Sequence, residues 1–133
     1  MKKTILKAVI TGGKDDFGTW LEDYAVFGAG ETLEEAKQNL YDGLSLYIEE
    51  CEELPEKLKG EYEIKFTFDT SGFLKYYSKF ISFAAMKEIT GIHQKQLWSY
   101  ANGYRNPNKE TTEKICSRIK KFANELGHVQ IRF

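Results

Sequence analysis

The sequence predicts an α+β fold: a small antiparallel sheet with one packed helix over residues 1–69, followed by an all-α unit over residues 70–133. Three observations carry that expectation. Residues 4–10 have strand composition, and apolar residues alternate at a period of two in residues 61–69, as they do in strands. Between them Leu33, Ala36, Leu40, Leu44, Tyr47, Ile48 and Cys51 recur at steps of three and four, which is one face of a helix. From Phe73 to Leu126 the period is helical in every apolar stretch.

In residues 4–10, Ile5 and Val9 fall on one side and Leu6, Ala8 and Ile10 on the other, which reads as a largely buried strand. Gly12-Gly13-Lys14-Asp15-Asp16 supplies a hairpin turn. The chain returns through Phe17 to Leu21, and a third short strand near Val26 to Gly28 completes an antiparallel meander. Thr32-Leu33-Glu34-Glu35 is a capping box, with the Thr32 hydroxyl accepting from the Glu35 N–H and the Glu35 carboxylate reaching back to Thr32. Pro55 marks the end of the helix that starts there. Residues 61–69 then set Tyr62, Ile64, Phe66 and Phe68 against Glu61, Glu63, Lys65 and Thr67.

Thr70-Ser71-Gly72 breaks the alternation and sets the boundary between the two units. Residues 73–77 make a short helix. Ser82 can cap a second, running to Thr90 and ending where Gly91 adopts the left-handed conformation. A third covers residues 94–102; Gly103 ends it and Pro107 prevents its resumption. The last, long helix turns Ile115, Ile119, Phe122 and Leu126 inward. Val129, Ile131 and Phe133 alternate in a candidate terminal strand.

With 133 residues, 41% of them apolar and 14% aromatic, the chain has enough material for real cores. Its net charge of −1 conceals an asymmetry: residues 1–60 hold 7 Lys/Arg and 13 Asp/Glu, whereas residues 80–133 hold 9 and 4. A basic half attracts phosphates and an acidic half attracts a basic protein. No apolar run approaches the roughly 20 residues of a spanning helix, so no membrane role is expected. Lys2 and Lys3 open the chain as a secretory leader does, but Lys7 interrupts the apolar stretch Thr4-Ile5-Leu6 and no small-residue cleavage site follows. A cytoplasmic protein is expected. Cys51 and Cys116 fall on apolar helix positions and read as buried, reduced thiols. With His93 and His128 they make no metal-ligand spacing, and no cofactor is called for.

A helix, a three-residue turn opening with glycine and a second helix form a helix-turn-helix unit. Gly91-Ile92-His93-Gln94-Lys95-Gln96-Leu97-Trp98-Ser99-Tyr100-Ala101-Asn102-Gly103-Tyr104-Arg105-Asn106-Pro107 resembles the recognition helix and following loop of the Cro/repressor superfamily. Ile92 and Leu97 stand where that family buries apolar residues. A recognition helix presents its first residues to base edges in the major groove, and here these are Gln94, Lys95 and Gln96. Glutamine can pair bidentately with adenine, and lysine donates to guanine or phosphate. Ser99, Tyr104, Arg105 and Lys109 lie where phosphate contacts would position the helix. Trp98 can either reach DNA or pack.

Val26-Phe27-Gly28-Ala29-Gly30-Glu31-Thr32-Leu33-Glu34-Glu35-Ala36 is similar to the strand-to-helix junction of the HicB antitoxin family. The resemblance continues through Phe73-Leu74-Lys75-Tyr76-Tyr77 into the helix-turn-helix and covers most of the chain. It implies an N-terminal domain with a partial, inactive ribonuclease-H-like fold that binds and masks a HicA-like toxin, a small basic messenger-RNA-cleaving protein. It also implies a C-terminal domain that represses its own operon by binding operator DNA, acting as a homodimer or higher homo-oligomer. The acidic candidates for toxin contact are Asp15, Asp16, Glu22 and Asp23.

Two other classes of function are open to such a chain. A ribonuclease-H-like catalytic site would need carboxylates converging on a divalent metal, and Asp15, Asp16, Glu22, Asp23 and Glu31 are numerous enough. Most of them sit in loops or turns, however, and no pair is fixed on opposed strands, so an enzyme is not expected. The remaining alternative is a free-standing regulator whose N-terminal domain binds a small ligand or dimerises.

Overall fold

A computed structural model describes residues 3–133; Lys2, part of the leader-like opening, lies outside the described residues. Among the described residues the fold is α+β, with a four-stranded mixed sheet and five α-helices. The strands are β1 (Thr4–Gly12), β2 (Phe17–Leu21), β3 (Phe27–Gly30) and β4 (Tyr62–Phe68). The helices are α1 (Leu33–Glu50), α2 (Thr70–Tyr77), α3 (Phe83–Thr90), α4 (Gln94–Ala101) and α5 (Lys109–Gly127).

The sheet order is β3-β2-β1-β4. The meander pairs antiparallel, with Val9 opposite Trp20 and Trp20 opposite Phe27. β4 pairs parallel to β1, with Leu6 opposite Ile64 and Ile10 opposite Phe68, so the sheet is mixed and not antiparallel throughout. The reason is the length of α1. Its 18 residues carry the chain back along the whole sheet, and β4 therefore starts beside the start of β1 and runs in the same direction.

Leu6, Ala8 and Ile10 are buried, whereas Ile5 is 50% exposed on the other face together with Phe27 at 69%. β1 is thus buried on one side only, not on both. Beneath α1, Leu40 and Leu44 pack against Leu6, Ala8, Leu21, Val26 and Ile64. The Thr32 hydroxyl caps α1 by accepting from the Glu35 N–H at 3.1 Å, an interaction worth about 1 kcal/mol. The Glu35 carboxylate accepts from the N–H of Glu31, not of Thr32, which extends the cap one residue further back. Cys51 closes the helix as its half-buried C-cap, with its thiol on the Glu53 carbonyl at 3.1 Å.

Thr70-Ser71-Gly72 is the first turn of α2 and not a break before it. The Asp69 carboxylate caps the helix by accepting from the Gly72 N–H at 2.8 Å. The Asp69 N–H in turn donates to the Ile10 carbonyl at 3.0 Å. A Cβ on Gly72 would stand 2.2 Å from that same oxygen, so glycine is what lets α2 seat against the end of β1. The Ser71 hydroxyl donates to Gly12 O at 3.2 Å and lies 3.4 Å from Ala101 O, tying β1, α2 and the end of α4 together. Ile10, Phe17, Leu33 and Ala36 form a core at this junction, with Phe66, Phe68 and Tyr76 packed on it. A further core of Leu74, Met86, Ile92, Leu97, Tyr100 and Ile115 holds the helices to one another.

The apolar stripe of α5 is covered only at its start. Ile115 is buried, Ile119 and Phe122 are half-buried, and Leu126 is exposed because the helix has by then run past its neighbours. Cys116, one position off the stripe, is exposed, against the expectation of a buried thiol. No strand forms after α5; Val129, Ile131 and Phe133 are exposed, with no neighbouring strand to pair them.

The seat of α2 yields a stability test. Gly72→Ala should cost about 1–3 kcal/mol in urea unfolding, because the atom it meets is backbone held in the sheet. Gly60→Ala, where a Cβ meets nothing within 4 Å, should stay within about 0.5 kcal/mol of the parent.

Candidate nucleic-acid interface

Two eight-residue helices, α3 and α4, are joined by Gly91-Ile92-His93. The Ser82 hydroxyl caps α3 by accepting from the Ala85 N–H at 3.1 Å. At its other end the N–H of Gly91 (φ 76°) closes on the Lys87 carbonyl. The buried Thr90 hydroxyl donates to Met86 O at 2.8 Å and accepts from the Ile92 N–H at 3.2 Å, fixing the turn from inside. His93 Nδ1 accepts from the Lys95 N–H at 3.2 Å and so caps α4.

Burial of Leu97, Tyr100 and Ala101 fixes the roll of α4. Gln94, Lys95 and Trp98 are left outward, at the spacing that puts side chains above one another on one face. The loop after α4 folds back onto it. The N–H groups of Tyr104 and Arg105 donate to Ser99 O at 2.9 and 3.4 Å, and the Asn102 amide donates to Trp98 O at 2.9 Å. The Tyr104 ring lies flat on Trp98, with centroids 5.4 Å apart and planes 14° apart. Asn108 then starts α5 by accepting from the Thr111 N–H at 2.8 Å.

Of the expected contact residues, Gln94, Lys95, Tyr104, Arg105 and Lys109 are exposed along this surface. The one ion pair among the described residues is Lys59–Glu56, so Lys95, Arg105 and Lys109 carry no carboxylate partner. Gln96 differs: it is half-buried, and its amide donates to the Tyr100 hydroxyl at 2.6 Å. That bond on its own helix turns it from the surface that Gln94 and Lys95 share. Ser99 is half-buried too and serves the loop through its carbonyl. Phe83, which sequence reasoning left aside, joins the surface, and Trp98, open between DNA contact and packing, turns outward. Phe83 and Trp98 line a shallow notch of about 200 Å³ with Gln94 and Lys95.

The acidic candidates separate into two places. Asp15 and Asp16 lie in the β1–β2 turn and Glu22 and Asp23 beyond the other end of β2, about 17 Å away for a five-residue strand. The β1–β2 turn abuts the helices: the Lys75 ammonium donates to Gly13 O, and a Cβ on Gly103 would lie 3.7 Å from Gly12 O. Glu22 and Asp23 sit at the far pole, where Tyr24 packs on Tyr47 of α1 at 5.9 Å. The exposed Glu49, Glu50, Glu52 and Glu53 follow Tyr47 there. No spacing signal joined these residues, because only the fold brings the end of α1 beside the β2–β3 loop.

No family model, curated protein or solved structure matches this chain. Among the described residues no group of three or more His, Cys, Asp or Glu is placed to hold a metal ion, and no helix is long and apolar enough to cross a membrane.

The turn between α3 and α4 can be tested without DNA. Around Gly91 the nearest atoms to an added Cβ are Lys114 Nζ at 3.8 Å and Arg118 Nη1 at 3.9 Å, so space is not the obstacle. Gly91→Ala should therefore lose about 1–2 kcal/mol in thermal unfolding, the cost of the left-handed backbone alone.

Proposed function

We propose that this chain is an antitoxin of the HicB type, in which residues 70–133 bind operator DNA and residues 1–69 mask a small basic HicA-like toxin. The observation that carries the DNA half is the exposed first turn of α4. Gln94 and Lys95 stand free on a helix whose other face is locked into the core, with unpaired Arg105 and Lys109 in the flanking segment. A helix held in this way can enter a major groove end-on while the flanking cations meet phosphates. One such helix contacts too few bases for useful specificity, so the protein acts as a homodimer or higher homo-oligomer on a palindromic site.

Support for the toxin half is the resemblance of residues 26–36 to the HicB junction together with the acidic pole around Glu22, Asp23 and the end of α1. A ribonuclease must carry a positive RNA-binding face, and carboxylates at the pole remote from α4 can cover it while DNA is bound. Copurification with the product of an adjacent small basic reading frame is the direct test. If no such protein binds, the chain is a free-standing regulator.

On the DNA half, Gln94→Ala should relax base preference at one position of each half-site, at a cost of about 1–3 kcal/mol. Arg105→Ala should weaken all sequences alike and flatten the salt dependence. A selective loss from Arg105→Ala, with Gln94→Ala silent, would put the wrong element in the groove.

On the toxin half, replacing Glu22 and Asp23 by Lys should slow association in stopped-flow measurements at low salt and leave DNA affinity unchanged. Asp15 and Asp16 do not offer that separation, since their turn abuts Ala101 and Gly103 at the end of α4. Equal association rates for the parent and the Glu22/Asp23 double variant at low salt would move the toxin contact elsewhere.

A further inference from the structure

The surface that presents Gln94 and Lys95 is not wholly polar. Trp98, one turn along from Gln94, is 48% exposed, although a tryptophan on a short helix is ordinarily drawn into the core. It is also stacked on a neighbouring ring. Tyr104 lies flat on the ring, and Tyr104 is itself fixed by its N–H bond to Ser99 O at 2.9 Å. The loop after α4 is thus spent on orienting an aromatic ring toward solvent.

Facing it across the start of α4 is Phe83, the first residue of α3, half-buried and positioned by the Ser82 cap. The two rings with Gln94 and Lys95 line the open notch of about 200 Å³, whose lining is almost entirely apolar. Its size excludes most occupants. A drug-sized ligand takes a cleft of about 300–1,000 Å³, and a partner helix needs a groove along several turns. What suits so shallow and open a hollow is the apolar edge of something that the flanking charges attract. Lys95 at the rim and Arg105 and Lys109 beyond it, all exposed and without carboxylate partners, select a polyanion.

In a major groove, the one small apolar group that a base edge offers is the 5-methyl of thymine. We infer that the notch between Phe83 and Trp98 is a thymine-methyl pocket, so that the site this protein binds carries a thymine in each half-site beside the base read by Gln94. The inference rests on the proposed reading of α4 as a groove-binding helix. Gln94 and Lys95 supply hydrogen bonds there, and the two aromatic rings supply the apolar contact that separates thymine from cytosine at the neighbouring pair.

The test removes the methyl and nothing else. The full chain selects a duplex from a randomised duplex library, and each thymine of that duplex is replaced in turn by deoxyuridine, with affinity read by fluorescence anisotropy. One thymine in each half-site should weaken binding about fourfold when its methyl is removed, the value of burying one such group. Trp98→Ala, at an exposed position where the fold is not at stake, should bind the parent duplex more weakly and no longer distinguish thymine from deoxyuridine at that position. Phe83→Ala should act in the same direction. The deoxyuridine scan of the unaltered protein stands without any variant. A selected duplex that tolerates every replacement overturns the pocket and leaves the DNA reading intact, as does a methyl effect that persists in Trp98→Ala. Failure to enrich any duplex overturns the DNA reading itself and the pocket with it.

Discussion

The structure depends on the seat of α2 at the end of β1. Gly72 comes so close to the Ile10 carbonyl that no side chain can stand there, and Asp69 both caps α2 and pairs with the same oxygen. A helix held by its backbone on the last rung of a sheet has little freedom to swing. Ser71 passes the constraint on to the end of α4 through its contacts with Gly12 and Ala101. The aromatic rings of Phe68, Tyr76 and Tyr77 close the junction, with centroids about 5 to 6 Å apart. The sheet and the helices therefore meet through packed contacts and not through a linker.

From this geometry follows the electrical layout. Because α1 starts near the junction and runs away from it, Glu49 and Glu50 come to rest at the remote pole, in the last turn of a helix that has no basic residue there. Carboxylates at a helix C-terminus oppose its dipole and cost stability of about 0.3–1 kcal/mol each. That arrangement is unfavourable for folding alone and consistent with a surface kept for a basic partner. The opposite end carries Lys95, Arg105 and Lys109 with no internal partner. On the proposed reading, two charged ends separated by the length of a sheet would let two ligands of opposite charge be held at once.

Much of this was legible in the residues. Thr32, Ser82 and Gly91 mark helix ends by local chemistry, and the structure places those ends as expected. The alternation in residues 61–69 identified the buried face of β4 but not its partner, since a period of two says which way side chains point and nothing of strand direction. The alternation runs on to Asp69 and hides its capping role, which needs Gly72 to be helical where Thr70-Ser71-Gly72 has the composition of a break. In the interface, Gln94 and Lys95 were legible from their place at the start of α4. The loss of Gln96 to Tyr100 and the outward roll of Trp98 were not, because both depend on how α4 is turned by the burial of Leu97 and Tyr100. Likewise the stripe of α5 continued in sequence to Leu126, while its covering stopped earlier for want of a neighbour.

The central claim is that α4 and its flanks, not the sheet, form the surface that meets DNA. Backbone amide shifts of the full chain, followed by NMR while duplex DNA is added at low salt, address it directly. The account predicts that the largest changes fall in Ser82 and Phe83, in Gln94 to Trp98 and in Tyr104 to Lys109, with the far pole around Glu22 and Asp23 unmoved. Changes concentrated in the strands, or none anywhere at concentrations where nonspecific binding saturates, would contradict it.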